Sequence, residues 1–507
     1  MQNFIERHSS KIKGVTSCFD RVVLTGTVPG ICYADGMAGY LRSHNVRIFD
    51  YPKWAMPLRE TIRQNAENIA ENNGLKIDFI RKQKNFRKEQ RVKEVVDQRG
   101  GHPGLVHIFS VMEACTTYKP WHDKKTHKTY LRYDDAKCLH YYFYFIDSAL
   151  GLCYLRVPTW APFRLQFYFN GHNQLANKLD RKAIDYTMLD NAFAEIGDFD
   201  KAQKLADNIN IKQIHRILDK AANKYCPVIR QFENNYHWSI MQAEYATDIV
   251  FKKQSDLADI YEELVRTAVH AVKADNIATF LGKKLTGNYQ GEIGNDFSTR
   301  IMGTRIKHSM GPVSVKMYDK YNLILRIETT VNNVTFFKHY RKVEHRDGTS
   351  SMKQATLRKS IYSMAALRDL LAASNRRYID FISAIDEPGN SSKDIEKVSK
   401  PIREKGRSYR GFNLFRGDDL DLFRTILRGE FNISGFSNKK LRKHFASKTA
   451  NQISRMLKRL RTHGLIKKIG RTYKYYLTKL GRRVVTTALK AREMYIIPAL
   501  RGILSTC

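Results

Sequence analysis

Hydrophobic positions along the chain switch repeatedly between a two-residue and a three-to-four-residue period, and each switch predicts a change of element. Phe19–Thr27 is apolar and β-branched and ends in glycine and proline punctuation, which predicts a strand. Lys53–Asn73 carries the helical period and runs into Gly74, a stop signal. Leu75–Ile80 and Leu105–Met112 read as short strands around a basic helical stretch, Arg81–Arg99. An aromatic run at Leu139–Ile146, a turn at Asp147–Gly151 and a second run at Leu152–Val157 predict a hairpin. Phe163–Phe169 then adds a strand that leads through Asn170-Gly171 into a helix. Helical patterns dominate Asp200–Asn223, Gln254–Lys284 and Ile361–Ile385, and Val313–Lys320 with Leu323–Val331 flank a two-residue turn at Tyr321-Asn322. Residues 287–311 hold five glycines and read as a loop. The mixture predicts an α+β fold with a mixed or antiparallel sheet core and helices.

Residues 386–412 combine Pro, Gly, Ser and charge without an apolar period, the composition of a linker. The expected organisation is an N-terminal α+β region over 1–250 and a helical segment plus hairpin over 251–385 belonging to the same core. The linker and a separate domain over 413–507 follow. In that last part, helices are predicted at Asp421–Leu427, at Asn438–Phe445 behind a Ser437 cap, and at Ala450–Thr462 behind Ser447 or Thr449. Leu465–Ile469 and Thr472–Leu477 flank a Gly470-Arg471 turn, and a last helix begins near Thr478. This order resembles a winged helix-turn-helix of the MarR-like kind, which implies docking on duplex DNA. The apolar stripe Ile453, Met456, Leu457 and Leu460 turns Asn451, Gln452, Ser454, Arg455, Lys458 and Arg459 outward. Amides and hydroxyls suit base edges, and the cations suit phosphates. The hairpin adds Lys467, Lys468, Arg471 and Lys474.

Charge sharpens the partner. The 507 residues include 87 Lys+Arg against 50 Asp+Glu, a net +37. Residues 101–300 hold 25 basic and 23 acidic side chains, whereas residues 431–507 hold 19 basic and one acidic. A nearly neutral centre and a cationic end point to a polyanionic partner. Duplex DNA is expected first, with single-stranded DNA or structured RNA as further partners, in a cytoplasmic, nucleoid-associated protein without a membrane segment. Seven cysteines without a CxxC pair give neither a disulfide framework nor a zinc site.

Candidate chemistry centres on Tyr318-Asp319-Lys320 followed by Leu325-Arg326-Ile327-Glu328. This pair of strands resembles a motif pair of rolling-circle replication initiators. The resemblance implies that Asp319 and Glu328 bind a divalent metal (Mg or Mn), with Tyr318 and Lys320 in the motif, while a separate tyrosine attacks the phosphodiester. Tyr340, Tyr362 and Tyr378 are the downstream candidates, and Tyr378 has Arg376 and Arg377 beside it. The chain has no His-x-His, so only the carboxylate-based class remains. With the two-residue turn Asp319 faces Ile324, and the two carboxylates stand about 13 Å apart, too far for one metal without a bulge or a longer turn. Surface ion pairing of Lys316, Asp319, Arg326 and Glu328 is the alternative.

Asp20, Asp190, Glu244 and Asp248 also lie in strand-like settings and either converge on a metal site or serve as caps and ion-pair members. Tyr142 and Tyr144 share a strand face, as a stacking platform for bases or as sheet core. Arg305, Lys307 and His308 in the glycine-rich segment are candidates for gripping phosphate. The whole chain also resembles a set of bacterial proteins of similar length, through stretches such as Ser17–Thr27, Cys138–Phe145 and Gln242–Phe251, which implies no mechanism. The expected function is a DNA-binding protein of a mobile element, a replication initiator or transposase-like enzyme that nicks a strand with a metal. The alternative is a non-enzymatic DNA-binding regulator, or the protein half of a structured-RNA ribonucleoprotein.

Overall fold

Two compact units make up the chain, and neither is a continuous stretch. The first comprises Met1–Val15, Thr247–Thr329 and Leu370–Cys507, and the second Thr16–Ala246 and Thr330–Asp369. In the computed structural model the described residues are 1–81, 87–232, 234–286, 289–300, 303–384, 390–413, 416–428, 431, 435–470 and 472–492. The unit boundaries fall after Val15, Ala246, Thr329 and Asp369. The fold class is α+β, with helices and a large, mostly antiparallel sheet.

After α1 (Gln2–Arg7), the strand β1 (Ile12–Thr27) enters the second unit. Helices α2 (Ala34–Ser43) and α3 (Tyr51–Asn72) follow, and α3 stops where Gly74 takes up φ +63°, a conformation that favours glycine. Then come β2 (Ile77–Phe79), α4 (Lys88–Arg99), β3 (Gly104–Asp123), β4 (Lys128–Asp147), β5 (Gly151–Pro158) and β6 (Leu165–Phe169). Their order across the sheet is β1-β6-β5-β4-β3-β2, antiparallel except for β2 with β3.

Strand β3 is far longer than the segment Leu105–Met112 that the sequence predicts. It pairs with β4 as far as Asp123 opposite Lys128, whereas β5 pairs only with His140–Asp147 of β4. The outer halves of β3 and β4 therefore form a two-stranded arm. Next, α5 (Gly171–Asp180) starts at Asn170, whose side chain accepts from the His172 N–H. The hairpin β7 (Tyr186–Met188) and β8 (Phe193–Ile196) and the helix α6 (Phe199–Asp207) close over Leu175 and Leu179 of α5. Helix α7 (Ile211–Tyr225) precedes β9 (His237–Phe251).

In the first unit, α8 (Gln254–Ala271) and α9 (Ala274–Phe280) lead to β10 (Ile293–Arg300), β11 (Gly303–Met310), β12 (Val313–Lys320) and β13 (Ile324–Val331), in that order across the sheet. The expected loop at 287–311 is in large part the β10–β11 hairpin. Glycine content is a poor guide there, because Ile306, His308 and Met310 alternate into the interior while glycines sit at strand ends. The exposed hairpin β14 (Lys338–Glu344) and β15 (Ser350–Thr356) belongs to the second unit, and α10 (Met364–Ile382) follows.

The expected linker also contains structure: α11 (Asn390–Ser399), β16 (Ile402–Glu404) and β17 (Arg407–Tyr409). Val398 and Phe412 are buried in one cluster with Phe423, Leu441, Ile453 and Val485. The elements that share this core are α12 (Gly417–Ile426), α13 (Asn438–Arg442), α14 (Ala450–Thr462), the hairpin β18 (Ile466–Lys468) and β19 (Tyr475–Leu477), and α15 (Lys479–Lys490). No described helix is long and apolar enough to cross a membrane.

Candidate functional site

The motif strands place Asp319 and Glu328 apart. Glu328 is buried, with Oε1 2.7 Å from Lys316 Nζ, and the Tyr318 hydroxyl donates to its Oε2 at 2.7 Å. Lys316 and Tyr318 are alternate residues of β12, so they share one face, and Asp319 between Tyr318 and Lys320 points to the other. The pairing that brings Lys316 and Tyr318 to Glu328 differs from the register expected from a simple two-residue turn. A one-residue slip of this kind moves every side chain to the opposite face. Asp319 and Glu328 thus do not form a shared metal site. Burial raises the Asp319 carboxyl above its ordinary value. Lys320 lies beside the Tyr321 ring, 5.5 Å from its centre.

The other candidates of this region also divide between faces. Lys307 stands opposite Lys316 across β11 and β12, and Arg305, two residues earlier, pairs with Asp296 at 3.3 Å. His308 faces the other way and is fully buried, with Nδ1 2.6 Å from Asn295 Oδ1 and Nε2 3.2 Å from the Tyr378 hydroxyl. Burial lowers its pKa to about 4, so the ring is neutral near pH 7 and adds no charge for phosphate. Tyr378 is itself fully buried on α10, and burial pushes its hydroxyl far up. It is a core residue with its oxygen on a histidine, not an accessible nucleophile. Tyr340 and Tyr362 are exposed, and Tyr362 meets His215 at 2.9 Å.

Of the four scattered acids, two converge within the second unit. A carboxylate oxygen of Asp20, on β1, lies within 4.8 Å of one of Glu244, on β9. Asp20 is buried and accepts from Asn191 Nδ2 at 2.7 Å, and His172 Nδ1 stands 3.1 Å from it. Thr330 reaches Glu244 at 3.4 Å. These positions come from three strands (β1, β9 and β13), the first turn of α5 and the β7–β8 turn. Two carboxylate oxygens this close match a small divalent ion that keeps several waters. By contrast Asp248 is committed to Arg326 in the first unit, through two bonds of 2.6 Å in full burial. Asp190 is exposed at a positive-φ turn position. His172 and Asn191 carry no recognisable spacing signal; only the Asn170 cap is legible in the sequence.

In the C-terminal elements, Asn451, Gln452, Ser454 and Arg455 are exposed at the start of α14, as expected. Thr449 caps that helix and Gln452 reaches back to the Thr449 N–H at 2.7 Å, while Ser454 accepts from Asn438 at 2.8 Å. Lys467, Lys468 and Lys474 are exposed on the hairpin, and Arg471 lies outside the described residues. Two members differ from the expectation. Arg459 is buried, with its guanidinium on both oxygens of Asp419 at 2.6 and 3.0 Å. Lys458 is half-buried and bound to Glu404 at 2.7 Å. The helical period places both outward because Asp419 and Glu404 come from elements 40 and 54 residues away.

Tyr142 and Tyr144 lie in the core, and the Tyr142 hydroxyl donates to Glu113 at 2.9 Å, so they offer no open face for bases. No family model, curated protein or solved structure matches the chain.

Proposed function

We propose that the protein binds duplex DNA through its C-terminal elements, used as a winged helix-turn-helix. The observation that carries this reading is the division of charge on that module. Arg459 and Lys458 are consumed by internal acids, whereas Arg455, Lys467, Lys468 and Lys474 remain exposed around the amides and hydroxyl that open α14. Exposed polar groups at the start of such a helix suit base edges, and flanking lysines suit the backbone. The test is fluorescence anisotropy with duplex DNA across a salt series. Replacing Lys467, Lys468 and Lys474 by Ala should weaken binding and flatten the salt slope by about 0.9 for each phosphate no longer neutralised. Unchanged affinity and slope would refute the assignment.

A second reading is favoured by Asp20 and Glu244. Two carboxylates this close raise each other's cost of ionisation and suit a divalent ion, which there would polarise a phosphodiester oxygen. The protein then nicks the DNA that its C-terminal elements hold, as a mobile-element initiator or transposase-like enzyme does. Asp20 and Glu244 would hold the ion. Supercoiled plasmid incubated with Mg²⁺ or Mn²⁺, and with EDTA, should nick only with metal and wild-type Asp20. Metal-independent nicking, or equal nicking by Asp20→Asn, would remove this reading and leave the first intact.

A further inference from the structure

The arm formed by the outer halves of β3 and β4 has one face that the duplex-binding reading does not use. Trp121 stands directly opposite Tyr130 in the ladder, and Lys119 directly opposite Arg132. These four are alternate residues on one side of the two-stranded ribbon. All four are exposed, and Trp121 and Tyr130 keep 40% and 38% of their surface open. The Arg132 guanidinium lies 3.8 Å from the centre of the Trp121 ring, which orients the indole. Two aromatic rings held in water beside two cations are an unusual use of an antiparallel ribbon.

Toward its base the same face opens into a groove of about 630 Å³, whose lining includes Arg59 and Arg63 of α3, Thr117, Lys119, Lys137 and Trp160. That volume accommodates a nucleotide unit. Among the lining residues four cations stand against one acid, Asp134. Glu60, outside the lining, accepts from Arg59 at 2.8 Å and from Arg63 at 3.2 Å and holds the two guanidinium groups side by side. Charge of this sign selects a polyanion, and flat exposed rings select bases that are not already stacked in a duplex.

We propose that this face of the arm, with the groove below it, binds single-stranded nucleic acid. Unpaired bases stack on Trp121 and Tyr130, and the phosphates run past Arg132 and Lys119 to Arg59 and Arg63. This inference does not rest on the C-terminal elements or on the metal reading, since it concerns residues of the second unit alone.

The experiment uses the full chain with fluorescently labelled oligo-dT, oligo-rU and a duplex of mixed sequence. The expected result is single-strand binding by the wild type, with an affinity at least about tenfold lower in Trp121→Ala/Tyr130→Ala. Duplex affinity stays unchanged in that variant, which also reports that it is folded. Tyr133→Ala, at an exposed position on the opposite side of the ribbon, should bind single strands as the wild type does. Arg59→Gln/Arg63→Gln, on a different element, should reproduce the loss. A preference for oligo-dT or for oligo-rU identifies the ligand as DNA or RNA. The proposal is overturned if the wild type binds neither oligonucleotide, if the double aromatic variant retains its affinity, or if Tyr133→Ala loses as much.

Discussion

Arg459 of α14 holds both carboxylate oxygens of Asp419 on α12, and it also donates to the backbone carbonyls of Arg410 and Gly411 at 3.0 and 2.6 Å. Burial alone would raise the Asp419 carboxyl, but Arg459 together with the Asn413 N–H and Arg410 holds it below its ordinary value. Arg459→Ala leaves that carboxylate buried without its partner and should destabilise the C-terminal elements by about 3–5 kcal/mol. Arg455→Ala, at an exposed position on the same helix, should stay within about 0.5 kcal/mol of wild type while weakening duplex binding. Thermal unfolding and DNA affinity, measured side by side, separate the two arginines. Because the folded Asp419 pKa is depressed, its contribution is present above the ordinary carboxylate range and is lost as the pH falls through the folded value.

Glu328 should contribute to stability through its ion pair with Lys316. Glu328→Gln removes the charge that balances Lys316 and should cost about 3 kcal/mol in denaturant unfolding. Asp319→Asn, on the other face of β12, removes a carboxylate whose pKa burial already raises, so it should be neutral or slightly stabilising. Equal destabilisation by both changes would contradict the division of faces.

Tyr378→Phe tests the placement of the tyrosine. It removes one hydrogen bond to His308 and should lower stability by about 1 kcal/mol. Any strand-nicking activity should survive the change unaltered. Abolition of nicking in a folded Tyr378→Phe protein would restore Tyr378 as the nucleophile.

Two histidines set an acid limit on stability. Burial lowers both His140 and His308 to about 4, against an unfolded value near 6.5. Between those values the unfolded chain binds the extra protons, so stability is fully present above pH 6.5 and falls as the pH drops toward 4. The loss should be on the order of 2–3 kcal/mol for each ring. Unfolding curves at about pH 7.5, 6 and 5 should show this decline, and a His308→Phe variant, if folded, should show a shallower one.

Metal at Asp20 and Glu244 should be visible without catalysis. Mn²⁺ should raise the midpoint of thermal unfolding of the wild type in a concentration-dependent way. Glu244→Gln and Asp20→Asn should abolish that increase.

Sequence patterns resolve what is local and miss what is long-range. The hairpin at Tyr321-Asn322, the stop at Gly74, the helix Ala450–Thr462 and the Thr449 cap are all legible, because each depends on neighbours within a few residues. The register of β12 against β13 is not, since one residue of slip costs little in local propensity yet reverses every face. Nor is the fate of Arg459: a helical period identifies an apolar stripe, but it does not show an aspartate 40 residues upstream waiting beneath the helix. Asp20 and Glu244 each look like an ordinary strand acid. Only the sheet brings β1 and β9 together across more than 200 residues of chain. The exposed face of the arm is hidden in the sequence because the apolar pattern of β3 ends near Met112, while hydrogen bonding carries the strand on to Asp123.

The interleaving of the two units has a consequence for how the protein is made. During synthesis Met1–Val15 leaves the ribosome long before Leu370, yet both belong to the same unit. The second unit in turn must wait for Thr330–Asp369. The second unit is complete only when Asp369 has been made, and the first only after the residues from Leu370 onward, so each unit waits for a segment far from its first. For the same reason no single cut divides the gene into two self-sufficient halves.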